Sequence, residues 1–192
     1  MGRSAVTEVL IREDQVPWSA GLVRDFVNTL DHELGTDALA TPDGLSAFLS
    51  DHGLLEGPGR VSAAQRAKAI RLRRALHDAL ELNHAAAAAP LPDLDDVLGE
   101  LSVRLAWDGA SVVARPVEDG AAGGLAQIGL AAHRAMAEQV WWRLKICAFD
   151  ECEWAYYDQS KNRSRSYCEY GCGNKLKTRA YRARQRSART TR

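Results

Sequence analysis

Four cysteines constrain this chain more than any other feature. Cys147, Cys152, Cys168 and Cys172 are the only cysteines in 192 residues, and they fall in two close pairs, C-x4-C and C-x3-C, separated by fifteen residues. Pairs at this spacing form tight knuckles, and an insert of that length can turn back as a hairpin, bringing the knuckles within about 4 Å, sulfur to sulfur. Disulfides would suit a secreted chain, but the first residues show no charged segment followed by an apolar run, so a reducing cytoplasm is the expected setting. The expectation is one structural Zn2+ held by all four thiolates. A shell filled in this way leaves no position for an activated water, so the metal would hold structure and perform no chemistry.

The charge pattern says what that structure is for. From Arg143 to Arg192 there are thirteen Lys or Arg against five Asp or Glu, a net +8, whereas the whole chain is neutral. Residues 1–142 therefore carry −8. Four thiolates around Zn2+ would add −2 to the tail and leave it clearly positive. An acidic body with a basic tail points to a polyanionic partner, and nucleic acid is the commonest. A merely solvated helix would interleave acids with bases, yet no acid follows Glu169.

The body reads as mainly helical. With 46% hydrophobic residues it can bury a core, and no apolar run reaches the eighteen or so residues of a membrane span. Ala5, Val6, Val9, Leu10 and Ile11 fit a strand or an arm equally well. Leu22, Val23, Phe26, Val27 and Leu30 predict a helix from Ser19 to about Glu33. Thr41-Pro42 caps a second helix that buries Leu45, Phe48 and Leu49 and runs to Gly53. Ser62 and Gln65 form a capping box for a long helix to about Ala87, with Ala69, Ile70, Arg73 or Arg74, Leu76, His77, Leu80 and His84 inward. His77 and His84 stand two turns apart, too far to share a metal, and read as core-edge or surface residues. Arg71, Arg73 and Arg74 could bind an anion, although a solvated or salt-bridged face is the plainer account. Ala85 to Pro92 reads as a linker, and Asp93 as the cap of a short helix to Glu100.

Val103, Leu105 and Trp107, answered by Val112 and Ala114 across Asp108-Gly109, predict a β-hairpin. Glu118 to Gly124 reads as a flexible loop. A helix is expected from Leu125 to about Ile146, burying Ile128, Ala132, Met136 or Ala135, Gln139, and Trp142 or Trp141. It would run without a break into Cys147 and couple the body rigidly to the metal module. Within the module, Trp154, Tyr156 and Tyr157 suit a short strand covering the metal site; stacking on bases is the alternative use of those rings. Ser160-Lys161-Asn162-Arg163-Ser164-Arg165 has the composition of a phosphate-contacting loop. A helix from about Lys175 to Arg189 would place Leu176, Ala180 and Ala183 inward and Lys177, Arg179, Arg182, Arg184 and Arg186 outward. Two knuckles, a hairpin and a helix starting at the second pair make a treble-clef-like arrangement.

These residues resemble the CGNR zinc finger family. The likeness rests on Trp154-Ala155-Tyr156-Tyr157-Asp158, on Ser160 to Cys168, on Cys172-Gly173-Asn174-Lys175, and on Tyr181-Arg182-Ala183-Arg184. Arg24 to Asp31 and Leu39 to Asp43 resemble the ABATE domain that accompanies that finger. The resemblance implies a bacterial transcriptional regulator with its finger on DNA. One departure is that the signature arginine is Lys175, which keeps the charge and loses the bidentate fork, so base-specific contact there is put in question.

The sequence therefore predicts a mainly α fold of α+β type. A helical domain with one β-hairpin (1–142) precedes a treble-clef-like, four-cysteine zinc module ending in a basic helix (143–192). The predicted function is a cytoplasmic, zinc-dependent regulator of transcription that binds duplex DNA through Lys161, Asn162, Arg163, Ser164, Arg165, Asn174, Lys175, Lys177, Arg179, Arg182, Arg184 and Arg186. The front domain would sense a small-molecule effector or form a homodimer. RNA binding is one alternative. An enzyme site around Asn28, Asp31, His32 and Arg74 is another, although no metalloprotease helix, nucleophile elbow, phosphate loop or carboxylate pair marks residues 1–142.

Overall fold

Helix α1, Trp18–Val27, buries Ala20, Leu22, Val23, Phe26 and Val27 along one side. The computed structural model describes residues 15–55, 60–85 and 87–190, with side chains through residue 185. The predicted strand or arm at Ala5 to Ile11 lies outside the described residues. α1 stops well short of Glu33. Thr29 Oγ1 donates back to the Phe26 carbonyl at 2.7 Å, and Asn28 turns its amide toward a distant strand, so neither supports another helical turn. The chain instead folds back through β1 (Leu30–Asp31) paired with β2 (Thr36–Asp37), and Gly35 supplies the positive φ that the turn needs.

Helix α2, Pro42–Asp51, begins as its sequence dictates, with Thr41 Oγ1 accepting from the Gly44 N–H at 3.1 Å. Helix α3, Ala63–Glu81, carries the expected capping box. Its buried face is Ala69, Leu72, Ala75, Leu76, Ala79 and Leu80, with Arg73 buried among them. It ends at Glu81 rather than Ala87, because the next turn tightens to bury Asn83, whose amide donates to the Trp141 and Leu144 carbonyls at 3.0 and 2.8 Å. Helix α4 spans Pro92–Gly99; Pro92 starts it, and Asp93 lies in its first turn rather than capping it.

Strands β3 (Val103–Trp107) and β4 (Val112–Pro116) form the predicted hairpin. Its apolar face is turned outward: Leu105 is 75% and Trp107 67% exposed. Helix α5, Gly120–Ala137, takes in most of the glycine-rich stretch expected to be a loop. A Cβ on Gly124 would stand 2.9 Å from the Leu49 side chain, so glycine here permits close packing of α5 on α2.

The predicted continuous helix into Cys147 does not form. α5 closes at Ala137 with Gln139 at φ +60°, and the Val140 and Gln139 N–H groups bond the Ala135 and Met136 carbonyls, the paired bonds of a Schellman stop. A short turn, Trp141–Arg143, leads to β5 (Leu144–Ile146), which pairs antiparallel with β6 (Ala155–Tyr157). Leu144, Ile146 and Ala155 belong to the same core as α1, α3 and α5. The body and the metal module are thus joined by shared packing. Helix α6, Cys172–Thr190, completes a mainly α fold with three two-stranded hairpins among the described residues. No described helix is long and apolar enough to cross a membrane.

Candidate metal centre and the basic surface around it

The first cysteine pair occupies the turn between β5 and β6. The Cys147 N–H donates to the Trp154 carbonyl at 2.9 Å and the Cys152 N–H to the Phe149 carbonyl at 2.7 Å, and Glu153 at φ +47° reverses the chain. The second pair spans a turn through Gly171, at φ +79°, into α6, where the Asn174 and Lys175 N–H groups bond the Gly171 carbonyl. This brings four buried sulfurs within 4.8 Å of one another. Cys152 and Cys168 are 3.7 Å apart, Cys168 and Cys172 3.6 Å, and the Cys168 N–H points at Cys147 Sγ from 3.5 Å. A tetrahedron of thiolates with bonds of about 2.3 Å has edges of about 3.8 Å. The spacing fits a shared ion and is far from a disulfide bond.

The electrostatics agree. Hydrogen bonds from Cys147 and Cys168 hold the Cys152 thiol far below its ordinary range, contacts within the cluster push Cys147 and Cys168 up, and burial pushes Cys172 up to about 12. A divalent cation among the four sulfurs would favour the thiolate form of each.

Around the sulfurs lies a small satellite core of Phe149 and Tyr156, with Trp154, Tyr167 and Leu176 packed against it. Tyr156 is fully buried, and its hydroxyl donates to the Arg165 carbonyl at 2.6 Å. Trp154 and Tyr157 are half-buried. The rings thus serve packing.

The 160–165 loop is built on a buried ion pair that charge counting missed. Lys145 Nζ lies 2.9 Å from Asp158 Oδ2, with Lys145 3% and Asp158 0% exposed. Lys145 also donates to the Arg163 and Arg165 carbonyls, and Asp158 accepts from the Ser160 and Arg165 N–H groups at 2.9 and 3.0 Å. Arg143 donates to the Asp158 and Ser160 carbonyls. Two cations of the basic tail are therefore internal fasteners. A lone lysine in the apolar run Leu144-Lys145-Ile146-Cys147 was the signal for it.

Held this way, the loop exposes Lys161, Asn162, Arg163 and Ser164. Arg165 folds over the Tyr156 ring at 5.5 Å and toward Glu169 at 3.8 Å. On α6, Asn174, Lys177, Arg182 and Arg184 are exposed, and the Arg186 side chain lies outside the described residues. Lys175 pairs with Glu33 at 2.6 Å, and Arg179 makes a bidentate pair with Glu151 at 2.8 and 2.9 Å. Ala180 and Ala183, expected to face inward, are exposed; among the described residues α6 meets the satellite core through Cys172, Leu176 and the Arg179 guanidinium over the Phe149 ring.

Of the four front-domain candidates, His32 and Arg74 line one cavity, whereas Asn28 and Asp31 are engaged elsewhere. Asn28 donates to and accepts from the backbone of buried Ala155, both bonds at 2.8 Å, and so clips α1 to β6. Asp31 Oδ1 accepts from the Leu34 N–H within the β1–β2 turn. Arg74 is exposed on α3. Asn28→Ala is expected to leave a buried peptide group unpaired and to cost about 2–3 kcal/mol in a denaturant titration; a change below about 0.5 kcal/mol would show that the clip is dispensable.

Comparison with known families matches these two regions separately. Residues 20–141 match the ABATE model, whose description is "putative stress-induced transcription regulator", and residues 143–185 match the CGNR zinc finger. No curated protein matches the chain. With most of its length covered by the first model and its four-cysteine module by the second, the chain belongs to the ABATE family and carries a C-terminal CGNR zinc finger.

Proposed function

We propose that this protein is a zinc-dependent regulator of transcription that grips duplex DNA with the rim of its metal module, its acidic front domain serving as sensor or dimeriser. The observation that carries the reading is the exposed cationic rim. Lys161 and Arg163 on the loop, and Lys177, Arg182 and Arg184 on α6, flank a buried four-thiol cluster, and α6 contains no acid to offset them. Zn2+ on Cys147, Cys152, Cys168 and Cys172 would fix the loop relative to the helix, which is a structural role with no open coordination position. Asn174, exposed at the start of α6, is the residue placed to meet a base edge. Lys175 and Arg179, engaged with Glu33 and Glu151, are secondary contacts. Burial of Tyr156, the central ring of the module, favours duplex DNA over single-stranded RNA, with Tyr170 and Tyr181 the rings left exposed for stacking.

Five phosphate contacts imply a log–log salt slope of about −4.5 for duplex binding. Lys161→Ala with Arg163→Ala should flatten it by about two units and weaken all sequences alike. Fluorescence anisotropy with the zinc-loaded protein at low salt reads both quantities. If no duplex binds in a salt-dependent manner, the cationic rim serves another partner and the proposal falls.

A further inference from the structure

Where the front domain meets the first knuckle, a cavity of about 330 Å³ is lined by His32, Ile70, Arg74, His77, Asp78 and Glu153, among others. Its walls come from the end of α1, the β1–β2 hairpin, helix α3, and the residue that follows Cys152. We propose that this junction is a second metal site, taking a first-row divalent cation such as Zn2+, Ni2+ or Co2+ on His32, His77 and Glu153.

Four observations carry the assignment. Glu153 Oε2 lies 3.4 Å from His32 Nε2 and 3.9 Å from His77 Nε2. Imidazole and carboxylate ligands bound at about 2.0–2.2 Å in tetrahedral geometry stand about 3.4 Å apart, so the carboxylate already sits near ligand spacing from both rings. His77 Nε2 is completely buried and has no hydrogen-bond partner, an orphan that a metal would satisfy. On the far side of the same ring, Asp78 Oδ1 stands 3.7 Å from Nδ1, beyond hydrogen-bond length but within a small side-chain shift of the carboxylate–histidine contact that orients metal-binding imidazoles. Finally, the lining favours a cation. Arg73 is bound to Asp37 at 2.5 and 3.0 Å, which leaves Arg74 against two carboxylates, Asp78 and Glu153.

The two ring centroids are 6.3 Å apart. Shared tetrahedral ligation brings them to about 5.2 Å and needs the two Nε2 atoms, now more than 4.8 Å apart, to approach to about 3.4 Å, a closure of about 1.5 Å or more. His32, on a surface turn and 40% exposed, is free to supply it. An ion here would tie the ABATE region to the residue next to a cysteine of the metal cluster. Imidazole and carboxylate accept Zn2+, Ni2+ and Co2+ alike, whereas four thiolates favour the softer end of that range, so the two sites differ in selectivity.

The test uses full-length protein with zinc in its cysteine cluster, titrated with Co2+ by calorimetry while native mass spectrometry follows the zinc. One further ion per chain is expected, without the thiolate-to-cobalt absorption that would mark displacement from the cysteines. His77→Gln and His32→Ala should each weaken that event more than tenfold while the zinc is retained, and Glu153→Gln should weaken it ten- to a hundredfold. Uptake of no further ion overturns the proposal, as does uptake unchanged in both histidine variants. Glu81 also brings a carboxylate near His77 and Asp78. Loss on Glu81→Gln with Glu153→Gln unaffected would move the ion to the other ring nitrogen and refute the assignment.

Discussion

Cys168→Ser should release the metal and open residues 159–192 to protease, while helices α1 to α5 keep their far-UV signal. Cys168 touches each of the other three: its sulfur lies within 3.7 Å of Cys152 and of Cys172, and its N–H faces Cys147 Sγ. Structural zinc supplies about 10–16 kcal/mol of apparent binding free energy, as much as the whole stability of a typical domain. The satellite core of Phe149, Tyr156, Trp154, Tyr167 and Leu176 is too small to hold the knuckles and α6 without it. The loss should stop at a definite place. Leu144, Ile146 and Ala155 pack in the main core, and Asn28 holds the Ala155 backbone, so β5 and β6 should stay protected after the metal has gone. Limited proteolysis read by mass spectrometry, with zinc measured in parallel, checks both halves. A variant that still binds one zinc per chain as tightly as the parent would remove the four-cysteine site.

Much of this arrangement was legible in the sequence, because cysteine spacing, capping side chains and turn residues act locally. Thr41-Pro42, the Ser62–Gln65 box and Asp108-Gly109 each specify a boundary through bonds to near neighbours, and each boundary stands where its residues put it. The errors lie where the deciding residue carries no local signal or where a distant partner decides. α5 ends in a Schellman turn with Gln139 in the position that glycine usually marks, so no residue announced the stop. α1 ends where Asn28 bonds to Ala155, a residue 127 positions away. The hairpin of β3 and β4 was readable from its alternation, but alternation does not say which face is covered, and here the apolar one is exposed. Charge counting placed the basic surface correctly at the C-terminal end and misjudged individual cations: Lys145 is internal, and Lys175 and Arg179 are already paired.

Breaking the Lys145–Asp158 pair should destabilise the module by about 3–5 kcal/mol, since removing one partner leaves an uncompensated buried charge. Lys145→Met strands the Asp158 carboxylate; Asp158→Asn strands the ammonium and leaves the amide to satisfy two loop N–H groups. Burial alone would raise the Asp158 pKa, but the hydrogen bonds from Ser160 and Lys145 outweigh it and the carboxyl is held below its ordinary value. A carboxyl depressed in the folded state contributes stability above its unfolded pKa of about 3.9 and loses it as pH falls through the folded value. The penalty of Asp158→Asn should therefore be full at neutral pH and shrink in acid below about pH 4. The pair also sets the exposed loop, because Lys145 bonds the Arg163 and Arg165 carbonyls and Asp158 the Arg165 N–H. Lys145→Met should consequently weaken duplex binding although it removes no exposed charge, with the salt slope unchanged because Lys161 and Arg163 remain. Thermal melts of the zinc-loaded variants, set beside anisotropy titrations, separate the two effects. A Lys145→Met protein within about 1 kcal/mol of the parent would show that the pair is replaceable and that the backbone alone fixes the loop.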